Sequence, residues 1–204
     1  MSNYASSALT PALPRARVLG DAIPGDRARD LLLILGGAGL TALGAQVSVH
    51  VPHSPVPITG QTLAVVLAGA TLGARRGALS QLVYLLAGLL FPIYAGGTSG
   101  SAVISGANGG YIFGFILAAW LTGWAAEHRA DRRLMLAPLT FVLGQAAIFG
   151  VGVPWLKVST GLSWNAAIHA GFTPFIIGGL IKAALAAATM PTAWRIERRI
   201  SRRS

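Results

Sequence analysis

The chain has 204 residues, 53% of them hydrophobic and 11% charged, with a formal net charge of +10 and a mean hydropathy of +0.62. A soluble domain carries roughly 25% charged residues, so the composition argues against a soluble fold, and the excess arginine reads as loop charge of a membrane protein rather than as a nucleic-acid surface. With no cysteine, disulfides and thiolate metal sites are excluded.

The charges are confined. The fourteen arginines and six acids lie in the N-terminal stretch up to Asp30, in the Arg75-Arg76 pair, between Glu127 and Arg133, and in the tail from Arg195 onward. Only Lys157 and Lys182 break the pattern. Residues 1–30 are polar and lack the apolar core of a signal peptide. Six apolar runs follow, at 31–49, 57–74, 77–94, 110–126, 135–154 and 172–191. Each approximates the ~20 residues that cross ~30 Å of hydrocarbon. The second and third are diluted by Thr59, Gln61, Thr62, Ser80 and Gln81, which belong inside a bundle where neighbours satisfy them. Pro57, Pro92, Pro138, Pro154, Pro174 and Pro191 mark predicted boundaries.

Arginines occupy alternate loops. Positive-inside counting therefore puts the N-terminus, the Arg75-Arg76 loop, the Arg129/Arg132/Arg133 loop and the tail on the cytoplasmic side. The expectation is an all-α, polytopic six-helix bundle with both termini cytoplasmic. It has a polar segment at 1–30, a membrane domain at 31–192 and a basic tail at 193–204.

Lys182 is the sharpest chemical signal. It falls near the middle of the sixth run, where a lysine costs ~2.5–3.5 kcal/mol, and no acid lies in any run to pair with it. Gly178 and Gly179, four and three residues earlier, share its helical face. A lysine beside a patch without side chains makes a notch for an anionic group. The glycine-rich stretch from Tyr94 to Gly100 and the segment from Gly106 to Tyr111 form the second signal. There the backbone can approach a ligand closely, and Asn108 and Tyr111 offer polar groups. Asn108 as an N-cap is the plainer alternative. On the first run, Ala38, Thr41, Ala42 and Ala45 make a small-residue stripe, suited to close helix packing inside the chain or against a partner.

Other chemistry is weaker. His50 and His53 are separated by Pro52 with no acid nearby, a poor metal pair. Gly97-Thr98-Ser99-Gly100 with His169 offers a Ser–His pair such as rhomboid-type intramembrane proteases use. That pattern places its histidine within the sixth helix and a His-x-x-x-Asn pair on the second, and neither is present. No Gly-x-x-x-x-Gly-Lys-[Ser/Thr] loop exists, so ATP-driven uptake needs another subunit.

The runs Val56-Pro57-Ile58-Thr59-Gly60-Gln61-Thr62, Leu72-Gly73-Ala74-Arg75-Arg76-Gly77, Pro92-Ile93-Tyr94-Ala95-Gly96-Gly97 and Gly109-Gly110-Tyr111 closely resemble the BioY family. Those are biotin-binding S components of energy-coupling factor (ECF) transporters, and the resemblance spans about residues 31–192. It implies a six-helix bundle in a bacterial inner membrane, biotin as ligand, no cofactor, and a transmembrane T component with ATP-binding subunits as partners. It also assigns the stripe with Ala38 and Ala42 to the T component. The family pattern carries an acid three positions before its lysine, and here that position is Gly179. On this reading Lys182 meets the ligand carboxylate. Asn108, Tyr111 or Gln61 contact the ureido end, and Tyr94, Trp155 or Phe175 line the wall. An S component for another small anionic vitamin is the alternative.

Overall fold

The computed structural model describes residues 18–52, 54–128, 130 and 137–200. A 3-10 turn (Leu19–Ala22) leads into helix α1 (Arg27–Gln46). The Asp26 side chain caps α1 by accepting from the Ala28 amide at 3.0 Å, which satisfies one of the free donors of the first turn. α1 ends three residues before the predicted run does. Beyond it, β1 (Ser48–Val49) pairs antiparallel with β2 (Ile58–Thr59), Ser48 opposite Thr59 and Val49 opposite Ile58. This two-stranded ribbon is a small addition to a mostly helical chain. Its β-branched residues suit an extended pair better than another helical turn.

α2 (Gln61–Leu72) and α3 (Ala74–Gly88) are separated by Gly73 alone, whose φ of +86° breaks the helix where a side chain would be strained. The Ala74 amide is then capped from a distance by Glu127 Oε1 at 2.9 Å. A short α4 (Ser101–Ser105) precedes α5 (Gly109–Glu127). Then come α6 (Ala137–Thr160), a short α7 (Trp164–Gly171) and α8 (Phe175–Ile200).

Four helices among the described residues, α1, α5, α6 and α8, are long and apolar enough to cross a membrane. α2 and α3, at 12 and 15 residues, are only about 18 and 22 Å long. The extended and turn segments that flank them make up the rest of the two predicted runs. Nine of the twelve α2 residues are buried, so this helix sits inside the bundle rather than against lipid. Pro154 and Pro191 lie within α6 and α8 instead of ending them. A proline removes one backbone hydrogen bond, and in a packed membrane bundle neighbours make that tolerable. α8 consequently runs through the predicted border at 192.

α5 is the central element, packed against α2, α3 and α6. Gly123 lets it approach the Gly73–Ala74 backbone, which occupies the place a Cβ would take. The core joins Val65, Tyr84, Phe115, Ile148 and Leu156 from α2, α3, α5 and α6. At the end where α1 begins and α2 meets α3, Arg76 pairs with Asp21 and, at 3.0 Å, with Asp30. Those pairs tie the N-terminal turn to α1 and α3. Arg15, Arg17, Arg129, Arg132 and Arg133 lie outside the described residues, as does His53.

The small-residue stripe faces inward. Thr41 and Ala45 are wholly buried, Ala38 is buried, and half-buried Ala42 packs on the core. α1 lies against α2 and α3, and Thr41 Oγ1 bonds Gln81 Oε1 at 3.1 Å and the Gly37 carbonyl at 3.2 Å. In the chain by itself these residues pack against its own helices. A stripe of small residues says only that a helix comes close, not whose helix it is.

Candidate ligand-binding site

A cavity opens between the start of α2, α5, α6 and the first half of α8. Its polar end is built on α8 and α2. Lys182 Nζ donates to the Thr59 carbonyl at 2.6 Å and to Thr62 Oγ1 at 2.8 Å. Thr59 ends β2, so its carbonyl is free of the α2 hydrogen-bond ladder. Thr59 Oγ1 donates to Gln61 Oε1 at 2.9 Å, and Gln61 Nε2 donates to the Tyr84 hydroxyl at 2.6 Å. The opposite wall is aromatic. Tyr111 stacks on Phe175 with ring centroids 6.4 Å apart, and Phe149 meets Phe175 edge-on at 5.5 Å. Val56, Pro57, Ala95, Val103, Ile112 and Phe115 complete an apolar lining.

Six of the predicted ligand residues converge on this cavity: Lys182, Asn108, Tyr111, Gln61, Tyr94 and Phe175. Asn108 precedes α5 but makes no side-chain capping bond there. The Tyr111 hydroxyl donates to the Gly171 carbonyl at 2.9 Å and the Tyr94 hydroxyl to the Leu85 carbonyl at 2.5 Å. Both tyrosines thus present ring rather than hydroxyl. For Tyr111 this differs from a ureido contact, because its polar tip anchors the α7–α8 corner.

Three predicted residues lie elsewhere. Trp155 is not among the lining residues. It backs on Gly110, leans on Phe113 with centroids 5.5 Å apart, and its indole donates to the Gly106 carbonyl at 2.9 Å. It therefore fastens the segment carrying Asn108 to α6. Gly178 and Gly179 are likewise not among the lining residues. A Cβ on Gly178 would sit 3.7 Å from Ile58 Cγ2, and one on Gly179 3.5 Å from Gln145 Nε2. Both are ordinary contacts, made by α8 with β2 and with α6.

The Ser99–His169 pair is not assembled. Ser99 is exposed on the loop before α4 and lines neither cavity, while exposed His169 lines a separate outer cleft with Pro52 and Ser54. No group of three or more metal-ligating side chains occurs among the described residues.

The profile of the BioY family matches residues 14–199. The chain belongs to the BioY family. Among curated relatives, the biotin transporter BioY2 of Lactococcus lactis is 36% identical over 156 residues, covering 76% of this chain and 84% of that protein. The biotin transporter BioY of Rhizobium etli is 35% identical over 168 residues, covering 78% and 89%. A probable BioY of Pyrococcus horikoshii is 37% identical over 161 residues, covering 78% and 93%. The fold matches the crystal structure of an S-component for biotin from an ECF-type ABC transporter, with a TM-score of 0.72 at 22% identity, covering 86% of this chain and 92% of that one. Family members named in these comparisons are transporter components.

Within this BioY chain, sequence reading missed Thr59 and Thr62 as the acceptors of Lys182, and Phe149 as wall. The two threonines carried a signal, being polar residues where an apolar run should be. Phe149 carried none, since nothing local separates it from the other apolar residues of α6.

Proposed function

We propose that this chain is the biotin-binding S component of an ECF transporter, embedded through six spans in a bacterial inner membrane with both termini in the cytoplasm. The observation that supports it is Lys182, a half-buried cation at the polar end of an otherwise apolar and aromatic cavity that no acid lines. Biotin has the matching shape: a carboxylate at one end, an apolar chain and bicycle, and a ureido group at the other. Lys182 takes the carboxylate, the aromatic wall of Tyr111, Phe149 and Phe175 covers the apolar part, and Asn108 and Gln61 serve the ureido group. An apolar pocket with a few placed polar groups is the usual design for such ligands.

The free volume among these side chains is about 40 Å³, against roughly 300–1,000 Å³ for a ligand pocket. Binding therefore opens the site. The ligand carboxylate competes with the Thr59 carbonyl and Thr62 hydroxyl for the lysine, and the aromatic wall parts. The sequence has no P-loop, so transport draws on a T component and ATP-binding subunits. The chain carries the ligand and performs no chemistry on it.

Purification in detergent from biotin-containing medium, followed by mass spectrometry of the released small molecules, tests the reading. Biotin at near-stoichiometric amount is the expected result. A different vitamin-like acid would support the sister reading, and a neutral ligand would remove the role given to Lys182.

A further inference from the structure

Gln145 lies on α6, which packs against α8. Its Oε1 is shielded from solvent and has no hydrogen-bond partner. A shielded amide oxygen without a donor is costly, and such groups persist where function uses them. Its Nε2 stands 3.5 Å from the point where Gly179 would carry a Cβ. Lys182 follows three residues later, on the same helical face, with side-chain bases about 5–6 Å apart at that spacing. The Gln145 amide is therefore within the sweep of the lysine side chain. An ammonium carries three donors, and two are accounted for by Thr59 and Thr62.

We propose that Gln145 is a specificity-determining residue of this site: a neutral partner that holds the Lys182 ammonium without cancelling its charge. When a ligand carboxylate draws Lys182 away from Thr59 and Thr62, Gln145 Oε1 accepts an N–H of the ammonium and Gln145 Nε2 donates to the carboxylate. An acid in the same place would hold the lysine too, but would neutralise it and repel the incoming anion. An amide satisfies the donor and leaves the full positive charge for the ligand.

The inference rests on the biotin reading, and its test separates the two. Biotin and uncharged biotin amide are titrated into the purified chain as wild type, Gln145→Leu and Gln145→Glu, with Gln145→Met as an uncharged variant of closer size should the leucine disturb folding. Gln145→Glu is expected to weaken biotin by about tenfold or more, the equivalent of one lost charge-assisted contact, while biotin amide changes less than about twofold. Gln145→Leu and Gln145→Met are expected to weaken biotin in the same direction and to reduce its preference over the amide. If the wild type prefers biotin and every Gln145 variant keeps that preference, the inference fails while the biotin reading stands. If the wild type binds neither ligand, both fail.

Discussion

Gln61 Nε2 donates to the Tyr84 hydroxyl across 2.6 Å, and Tyr84 is wholly buried behind it. Gln61 is a lining residue, so a side chain with no access to the cavity fixes the orientation of one that has it. Tyr84→Phe removes that acceptor and keeps the ring. The expected result is biotin binding weaker by about 2- to 12-fold, from one side-chain hydrogen bond of about 0.5–1.5 kcal/mol. Equilibrium titration checks it, and an unchanged Kd would show that Gln61 does not hold the ligand.

Inward burial of the α1 stripe gives a stability prediction. Ala45 is fully buried while Leu43, two residues earlier, is 70% exposed. Ala45→Trp is expected to destabilise the purified chain by about 1–3 kcal/mol through overpacking. Leu43→Trp on the outer face should change stability by less than about 0.5 kcal/mol. Thermal unfolding in detergent reads both. A stable Ala45→Trp protein that fails only to assemble with a T component would instead place the stripe at the partner interface.

Topology is checked by reporter fusions at the C-terminus and near Ser101. A cytoplasmic C-terminus and an external Ser101 are expected, because arginines occupy alternate loops in the sequence and positive-inside counting groups those loops on the cytoplasmic side. A reporter active outside the cytoplasm at the C-terminus would contradict six spans.

Ser99→Ala is expected to leave biotin binding and uptake unchanged, since Ser99 is exposed and lines neither cavity. Cleavage of a membrane substrate that depends on Ser99 would instead revive the peptidase alternative.

Much of this was legible from charge placement alone. Arginines excluded from apolar runs located α1, α5, α6 and α8, because inserting a charge costs more than any local propensity. Lys182 stood out for the same reason. Element ends were less legible. Pro154 and Pro191 read as stops, yet tertiary packing carries both helices through them. The ribbon at Ser48–Val49 and Ile58–Thr59 was hidden inside runs read as helical, where two residues of pairing leave no period to detect. Contacts between distant elements were the least legible. Nothing near Trp155 in sequence says that its indole reaches Gly106, and nothing near Ala38 or Thr41 says which helix the stripe meets. Gln145 was one more polar residue in an apolar run until its place beside Gly179 was seen.

The central claim is that Lys182 binds the ligand's carboxylate. The most direct measurement is equilibrium binding of biotin and biotin amide to wild type and Lys182→Met. A single charge-assisted hydrogen bond contributes about 1.5–3 kcal/mol, so the variant should bind biotin weaker by about one to two decades. Biotin amide should bind the wild type poorly and lose little more in the variant. If Lys182→Met binds biotin as tightly as the wild type, the lysine serves only to join α8 to Thr59 and Thr62, and the account of an anion site is wrong.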